Sequence, residues 1–490
     1  MAKLSDLPDH LILDILQYVP SYQVLHLATL SKSLHRCSVN RIYRSVYPWE
    51  SPARNNESKY ARPPDIPSWS SPYLHMINAG SGPPFDDTRI FNLSRFLRTI
   101  TESESLRLHV ARASFNCQVH QEALSLQVIE VLAPILQDLH VKRSLASYDP
   151  DANFLPFISS LDLRIDERAD INWETNDLKI TSNREKIRSL FDLPRLRLLS
   201  LSGVRRWSLL IQDSDVERTM TSEITSLSLR ETIPVDQGLA EVLSWPKRLK
   251  SLRYELVLSD IHRRQWGPYE FFNGKVYLSA KAFGIALASQ QSHLEELFVY
   301  GAICDGLSDY EETELIDLHS FVNLQYVGLP IDFFRISEYQ AKDRGIKDYI
   351  PSISEILPPA IRDLQIEILD DHPWTAYFFS AELESNEAFS PGDLSVFISE
   401  IVKSKDSLFT ELRRIVIWRC DGHRRTTTFS LDAEDHFREV FETCRDAKVE
   451  IFMVESEDSP LFSSQPGQVG QLDSTRKGGI RRRERPMKSW

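Results

Sequence analysis

A three-position apolar spacing recurs along most of this chain: an apolar residue, two others, a second apolar residue, one other, and a third apolar residue. Each copy predicts a short strand, because side chains that alternate along a strand point to the same face. The first apolar residue of the copy then covers the turn that leads into the strand. Nine full copies occur, at Leu136/Leu139/Val141, Ile158/Leu161/Leu163, Leu196/Leu199/Leu201, Ile224/Leu227/Leu229, Leu249/Leu252/Tyr254, Leu294/Leu297/Val299, Leu324/Val327/Leu329, Ile361/Leu364/Ile366 and Leu412/Ile415/Ile417. Partial copies occur at Leu106/Leu108 and Val449/Ile451.

Helical patterns precede several of the predicted strands. They cover Gln121–Leu136, Gln237–Leu243, Ala280–Gln290 and Asp393–Ser404. Alternating strands and helices predict an α/β solenoid in which each unit packs on its neighbours, and the spacing resembles that of leucine-rich repeats. The copies end at irregular intervals, from 22 residues (Val141 to Leu163) to 51 residues (Ile366 to Ile417), whereas regular repeats take about 20 to 29. We therefore expect an irregular solenoid with insertions; a non-repeating α/β domain is the alternative.

Residues 5–47 carry a different, purely helical pattern. Pro8 has the backbone angle of a first helical turn, and Pro20 ends the helix that it starts. The apolar residues between them are predicted to share one helical face and are Leu11, Ile12, Ile15, Leu16 and Val19. A second short helix is predicted around Val24–Ala28, with Ser21 placed to cap it, and a third, basic helix over Lys32–Tyr47. Three helices totalling fewer than about fifty residues bury little core, so such a unit usually needs a partner.

This arrangement resembles an F-box, with Leu7-Pro8 as its opening and Ser31-Lys32 as the Ser-Lys pair that follows later. The resemblance implies binding to a Skp-type adaptor and, through the adaptor, to the cullin of a RING-type ubiquitin ligase. The residues that it assigns to adaptor contact are Leu7, Pro8, Ile15, Leu16, Pro20, Leu25 and Lys32. His10 stands where the family usually has glutamate, which removes a negative charge that the helix dipole favours, and Leu30 stands where valine is common. The alternative is that residues 5–47 are only a helical cap on a larger domain.

The sequence predicts four regions: an F-box over residues 1–47, a proline-rich linker over 48–95, a leucine-rich-repeat-like domain over 96–456 and a disordered basic tail over 457–490. Irregular repeats after an F-box resemble the F-box proteins of filamentous fungi. The linker is either a plain connection or a semi-rigid spacer. Two long insertions, Ser259–Tyr277 and Asp332–Tyr349, combine arginine with aromatic residues, which favours contact with a protein target; ordinary solvated loops are the alternative.

Composition and charge narrow the function classes. The 490 residues carry a net charge of −13, although the last fifteen alone carry +6. An acidic body argues against general nucleic-acid binding. The Arg481–Arg485 run is either a nuclear-import signal or part of a solvated tail. The five scattered cysteines suggest neither disulfides nor a zinc site, and we expect no cofactor. No run of apolar residues is long enough to span a membrane. The pattern favours a cytoplasmic or nuclear protein.

No common catalytic motif is present, and we expect no enzyme activity. The two closest groups of titratable residues are read as local structure: Asp370-Asp371-His372 as a turn and Glu434-Asp435-His436 as the acidic start of a helix. The chain is therefore expected to be the substrate-recognition subunit of an SCF-type ubiquitin ligase, with an unknown protein substrate held by the repeat domain. The alternatives are a non-degradative scaffold that uses the F-box only to bind the adaptor, and an enzyme hidden in the repeat region.

Overall fold

The fold is α/β, as the alternation of apolar spacings and helical patterns predicts. A computed structural model of the chain describes residues 7–16, 19, 24, 27–28, 30–48, 88–90, 93–115, 122–141, 155–164, 187–202, 204, 219–230, 237–255, 280–300, 316–330, 333, 356–369, 391–420 and 431–455. The described chain forms two compact units. The first comprises residues 1–204 and 220–226, and the second comprises residues 205–219 and 227–490.

Nine helices and thirteen strands are labelled here, all of them within the described ranges. The helices are α1 (Asp9–Leu16), α2 (Lys32–Arg44), α3 (Leu93–Glu102), α4 (Glu104–Arg107), α5 (Glu122–Leu132), α6 (Gln237–Ser244), α7 (Ala280–Leu287, extended by a 3₁₀ turn over Ala288–Gln290), α8 (Pro391–Lys403) and α9 (Leu431–Asp446). The strands are β1 (Ser45–Pro48), β2 (Thr88–Ile90), β3 (Arg112–Phe115), β4 (Asp138–Val141), β5 (Ser160–Arg164), β6 (Leu198–Ser202), β7 (Ser226–Arg230), β8 (Ser251–Glu255), β9 (Glu296–Tyr300), β10 (Tyr326–Pro330), β11 (Asp363–Leu369), β12 (Arg414–Cys420) and β13 (Glu450–Glu455). Residues 187–191 are also helical.

The nine full apolar spacings coincide with strands β4 to β12, which confirms the predicted strands. Every residue of the nine triplets is at most 8% exposed, so the spacing marks the core of each unit. The predicted helices before β4, β8, β9 and β12 are present as α5, α6, α7 and α8, and α9 contains the acidic residues predicted to start a helix. The partial copy at Leu106/Leu108 was wrong as a strand, because Leu106 lies in α4.

In the first unit, the strands lie in the spatial order β2-β1-β3-β4-β5-β6. The pairs from β1 to β6 are all parallel. Consecutive parallel strands need a crossover between them; α5 supplies one between β3 and β4, and α3 packs against it. Both helices bury apolar side chains, α3 through Phe96 and Ile100 and α5 through Val128, Ile129 and Leu132.

In the second unit, the spatial order follows the chain from β7 to β13. The pairs from β8 to β13 are parallel and in register without a bulge. Helices α6 and α7 pack against each other, as do α8 and α9. A buried glutamine joins two of these repeats: Gln290 donates to the carbonyl oxygens of Leu243 (2.8 Å) and Pro246 (2.9 Å) and accepts from the Leu249 amide (3.0 Å).

One hydrogen-bond arrangement recurs where each repeat enters its strand. The carbonyl oxygen of the residue before one strand accepts two successive amides of the next repeat, as Gln137 accepts from Ser159 (2.7 Å) and Ser160 (3.1 Å). The same two-donor contact is made by the carbonyls of Ala111, Ser159, Arg197, Lys250, Glu295, Gln325 and Arg362. The entry turns within each unit therefore stack directly on one another.

The connection between α2 and the sheet differs from the prediction. The third helix was expected to reach Tyr47, but α2 ends at Arg44 and residues 45–48 form β1 without an intervening residue. β1 pairs with β3 through Ser45 and Val46, and with β2. The predicted linker over 48–95 also contains β2 and the first residues of α3; its remaining residues lie outside the described ranges.

The sheet face opposite the apolar triplets carries charged side chains in both units, and we call it the polar face, although in the second unit it also includes Phe298 and Val416. In the first unit it holds an ion pair between Arg112 and Asp138 (2.7 Å) and, one strand further on, a contact between His140 Nδ1 and an Asp162 carboxylate oxygen (2.6 Å). In the second unit Arg414 donates to Asp363 at 3.0 Å. Burial raises the pKa of the Asp363 carboxyl above its ordinary value, although the charge of Arg414 acts to lower it.

Candidate adaptor-binding surface

Helices α1 and α2 enclose a small apolar core of their own. Its buried residues are Ile12, Leu16, Val24, Leu34 and Cys37, with Leu7, Leu13, Val19, Leu27, Ala28 and Tyr43 packed against them. Ile12 and Leu16 are four residues apart, so they lie one above the other on a single stripe of α1. All members of this core fall within residues 7–43.

The start of α1 is held by side chains of α2. Asp9 accepts a hydrogen bond from Ser33 (3.2 Å) and forms an ion pair with Arg36. The Cys37 thiol donates to the Asp9 carbonyl at 3.8 Å; burial and the nearby Asp9 charge raise the pKa of that thiol. The charge absent at His10 is therefore supplied by Asp9, which lies in the first turn where the helix dipole favours it.

A second apolar stripe of α1 faces outward. Leu11 is 40% exposed and Ile15 is 38% exposed, and their spacing of four residues puts them side by side. Leu30, in the segment before α2, is 69% exposed. Leu11, Ile12, Ile15 and Leu16 share one broad apolar face of about 140°, as predicted, because successive helical residues are about 100° apart. The core covers only the edge with Ile12 and Leu16, so the edge with Leu11 and Ile15 is left for another element to cover.

The residues assigned to adaptor contact from the sequence occupy different environments. Pro8 and Lys32 are exposed, Leu7 is half-buried and Ile15 belongs to the outward stripe. Leu16 has no exposed surface, so we expect its replacement to act through the core of this helical unit. Pro20 and Leu25 lie outside the described residues. Leu11 and Leu30 were not assigned from the sequence; the i, i+4 spacing of Leu11 and Ile15 was the available signal.

The polar face of the second unit is closed over its central strands. Phe298, Gly328, Gln365 and Val416 lie opposite one another on four consecutive strands. Phe298, Gln365 and Val416 are at most 4% exposed, and Glu367 is 2% exposed. A solenoid ordinarily offers a wall of strand side chains to a partner, but the side chains of this stretch are buried and leave no surface free for a protein target. The insertions predicted to contact a target lie outside the described residues, apart from the buried Phe333.

No metal or membrane site is evident in the described part of the chain. Within it, no three His, Cys, Asp or Glu side chains are grouped to hold a metal ion. None of its helices combines the length and apolar character needed to cross a bilayer. The Asp370-Asp371-His372 group lies outside the described residues.

The comparisons with known proteins bear on the helical unit. Residues 4–44 match the family model of the F-box domain. No curated protein matches the chain. The match covers α1 and all of α2, the helices that carry the apolar core and the outward stripe. F-box domains typically bind Skp-type adaptors of SCF-type ubiquitin ligases, and residues 4–44 of this chain are an F-box domain.

Proposed function

We propose that this chain is the substrate-recognition subunit of an SCF-type cullin-RING ubiquitin ligase. The F-box binds a Skp-type adaptor, the adaptor links the chain to cullin, and the α/β body, an irregular leucine-rich-repeat-like solenoid, holds a protein target. The chain carries no catalytic group of its own, because other subunits transfer the ubiquitin. It works in the cytoplasm, the nucleus or both, without binding nucleic acid or membrane.

The outward stripe of α1 is the observation that supports this proposal most directly. Two large aliphatic side chains lie side by side on an eight-residue helix within an F-box. A partner that covers them removes apolar surface from water, which is the main favourable term in most protein association. This helical unit is also small, so an adaptor adds stability that its own core supplies only in part.

The direct continuation of α2 into β1 supports a receptor that holds its target at a set position. Because no residue separates helix from strand, the F-box and strands β1 to β3 are joined through regular backbone hydrogen bonds. Holding two reactants in a defined geometry accelerates a reaction without any chemistry from the holder. A ligase subunit that fixes the target near the transfer site acts in this way.

Co-purification with the adaptor tests the first step. The tagged full chain is expressed together with a Skp-type adaptor, as wild type and as Ile15→Asp. We expect Ile15→Asp to weaken adaptor binding by at least about tenfold, because a carboxylate is then buried in an apolar contact. Ile285→Asp is the matched control, since Ile285 is 62% exposed on the eight-residue helix α7. Equal binding by wild type and Ile15→Asp would contradict adaptor docking on this stripe.

Protein turnover distinguishes the receptor from a non-degradative scaffold. Partners are recovered with wild type and with Ile15→Asp, before and after proteasome inhibition. A receptor predicts that a bound partner accumulates on inhibition with wild type and is already abundant with Ile15→Asp. A scaffold predicts partners whose levels respond to neither change.

A further inference from the structure

Three consecutive entry turns of the first unit share a proline at the same position. Pro134, Pro156 and Pro194 each lie three residues before the residue whose carbonyl joins one repeat to the next. A proline fixes its backbone angle and so reduces the freedom of the turn. The hydrogen bonds between Gln137, Ser159, Arg197 and the following repeats stack these turns directly. This edge of the first unit is therefore preorganised.

The residue after each proline forms a row along that edge. The row is Ile135, Phe157 and Arg195, which we call the entry ladder. Ile135 is partly exposed, Phe157 is 43% exposed and Arg195 is exposed. Paired strands lie about 4.8 Å apart, so neighbouring members of the row are close enough to contact a single bound segment.

Arg195 is held against its neighbour and retains its hydrogen-bonding capacity. Its guanidinium carbon lies 4.7 Å from the centre of the Phe157 ring, a cation–π arrangement. Within the described ranges it forms no ion pair, whereas Arg197 on the same turn is paired with Glu223 at 3.3 Å. A stacked guanidinium still offers its N–H groups at the edge, in a geometry that matches a carboxylate. Exposed aromatic and arginine side chains together are typical of the residues that dominate protein interfaces.

We propose that the entry ladder binds an extended acidic segment of a partner protein. An apolar side chain of that segment packs on Ile135 and Phe157, and a carboxylate next to it pairs with Arg195. Charge complementarity selects this partner, because the ladder presents beside its apolar surface an exposed arginine that pairs with no acidic side chain of the described residues. This inference deepens the proposed function, because it names the chemical class of the target. It rests on the proposed function only where it implies that the bound protein is ubiquitinated.

The test selects ligands without assuming their sequence. The full chain bound to its adaptor is immobilised, and a phage-displayed library of random dodecapeptides is selected on it. Synthetic copies of the enriched peptides are then titrated against wild type, Phe157→Ala and Arg195→Glu. Arg248→Glu and Val322→Ala are matched controls, because they alter an exposed arginine and an exposed valine on entry turns of the second unit. A copy of each peptide with phosphoserine in place of its acidic residue tests whether phosphate is preferred to carboxylate.

We expect enrichment of peptides that place Asp or Glu beside an apolar residue. Their affinity should fall at least tenfold for Phe157→Ala and for Arg195→Glu and stay unchanged for the two controls. The proposal is overturned if the enriched peptides lack acidic residues or bind all variants equally. It is also overturned if Phe157→Ala disrupts self-association of the chain instead of peptide binding. Adaptor binding is measured in parallel: if it persists while peptide binding fails, the ladder is wrong and the proposed function stands.

Discussion

The contact between Gly328 and Phe298 gives the sharpest prediction about how the second unit is packed. These residues lie opposite each other on β10 and β9, on the polar face. A Cβ atom added to Gly328 would lie 2.5 Å from Cδ1 and 3.1 Å from Cε1 of the Phe298 ring. Carbon atoms in good contact are about 3.5–4.0 Å apart, so the ring would have to move by roughly 1 Å. Phe298 is only 4% exposed and has little room to do so.

The magnitude follows from two opposing effects. Overpacking of this kind typically costs about 1–3 kcal/mol, and replacing a strand glycine recovers about 0.5–1 kcal/mol of backbone entropy. We expect Gly328→Ala to lower the opening free energy of β9 and β10 by about 1–2 kcal/mol. In a Phe298→Ala background the clash is gone, so Gly328→Ala should be neutral or stabilising. The double-mutant cycle should therefore show a coupling of roughly 1–3 kcal/mol.

Hydrogen–deuterium exchange of the β9 and β10 amides, read by mass spectrometry, measures this quantity. Local exchange suits the chain because repeat proteins and multi-unit chains often unfold in more than one step. Gly284→Ala is the control: its added Cβ would meet Ile316 Cγ1 at an ordinary 3.6 Å, and we expect it to stabilise α7. The reasoning is refuted if Gly328→Ala has the same effect with and without the Phe298 ring.

Four further outcomes are expected. Ser38→Ala should leave the stability of the first unit unchanged or raise it by up to about 1 kcal/mol in thermal unfolding, because the buried Ser38 hydroxyl has no hydrogen-bond partner among the described residues; a clear loss would show that the hydroxyl is paired. A flexible Gly/Ser insertion between Arg44 and Ser45 should preserve adaptor binding and abolish ubiquitination of the bound target in a reconstituted reaction, whereas unchanged ubiquitination would show that the rigid connection is unimportant. Burial raises the pKa of Cys444 to about 11, so peptide mapping after iodoacetamide at pH 8 should find it alkylated only in denatured protein. The pKa of Asp363 is raised above its ordinary value of 3.8, so the folded state binds the carboxyl proton more tightly than the unfolded state does. Urea titrations should therefore show that wild type loses stability relative to Asp363→Asn as the pH rises through the folded-state pKa.

The strands whose core residues are large could be predicted from the sequence alone. Each apolar triplet is a local pattern, and burial of all nine shows that the pattern reports the core directly. β3 was missed although Val110, Ala113 and Phe115 have the same spacing and are each 1% exposed. The small alanine at the middle position hid the copy and favoured the false one at Leu106/Leu108. A pattern search that accepts alanine as one of the three apolar residues would have found this strand.

Features that depend on residues far apart in the sequence could not be predicted from such local patterns. Ser45, Val46 and Tyr47 follow a helix without a break, and they form a strand only because β2 and β3 lie beside them. The division of α1 into a core stripe and an outward stripe depends on where α2 packs, which the apolar pattern of α1 alone does not specify. The closure of the polar face at Gln365 and Glu367 likewise needs the tertiary structure, since polar strand positions ordinarily predict exposure.

The entry turns explain how repeats of very different length stack regularly within each unit. Gln137 and Ser159 are 22 residues apart and Arg362 and Arg413 are 51 apart, yet both steps make the same pair of backbone hydrogen bonds, at 2.7 and 3.1 Å and at 2.8 and 3.2 Å. Only the turn and the strand after it have to be conserved in geometry, so inserted residues are accommodated after the strand ends. The entry edge is therefore the part of each repeat that variation in length disturbs least. A docking surface such as the entry ladder keeps its geometry there, because its side chains are positioned by backbone contacts that every repeat needs in order to stack.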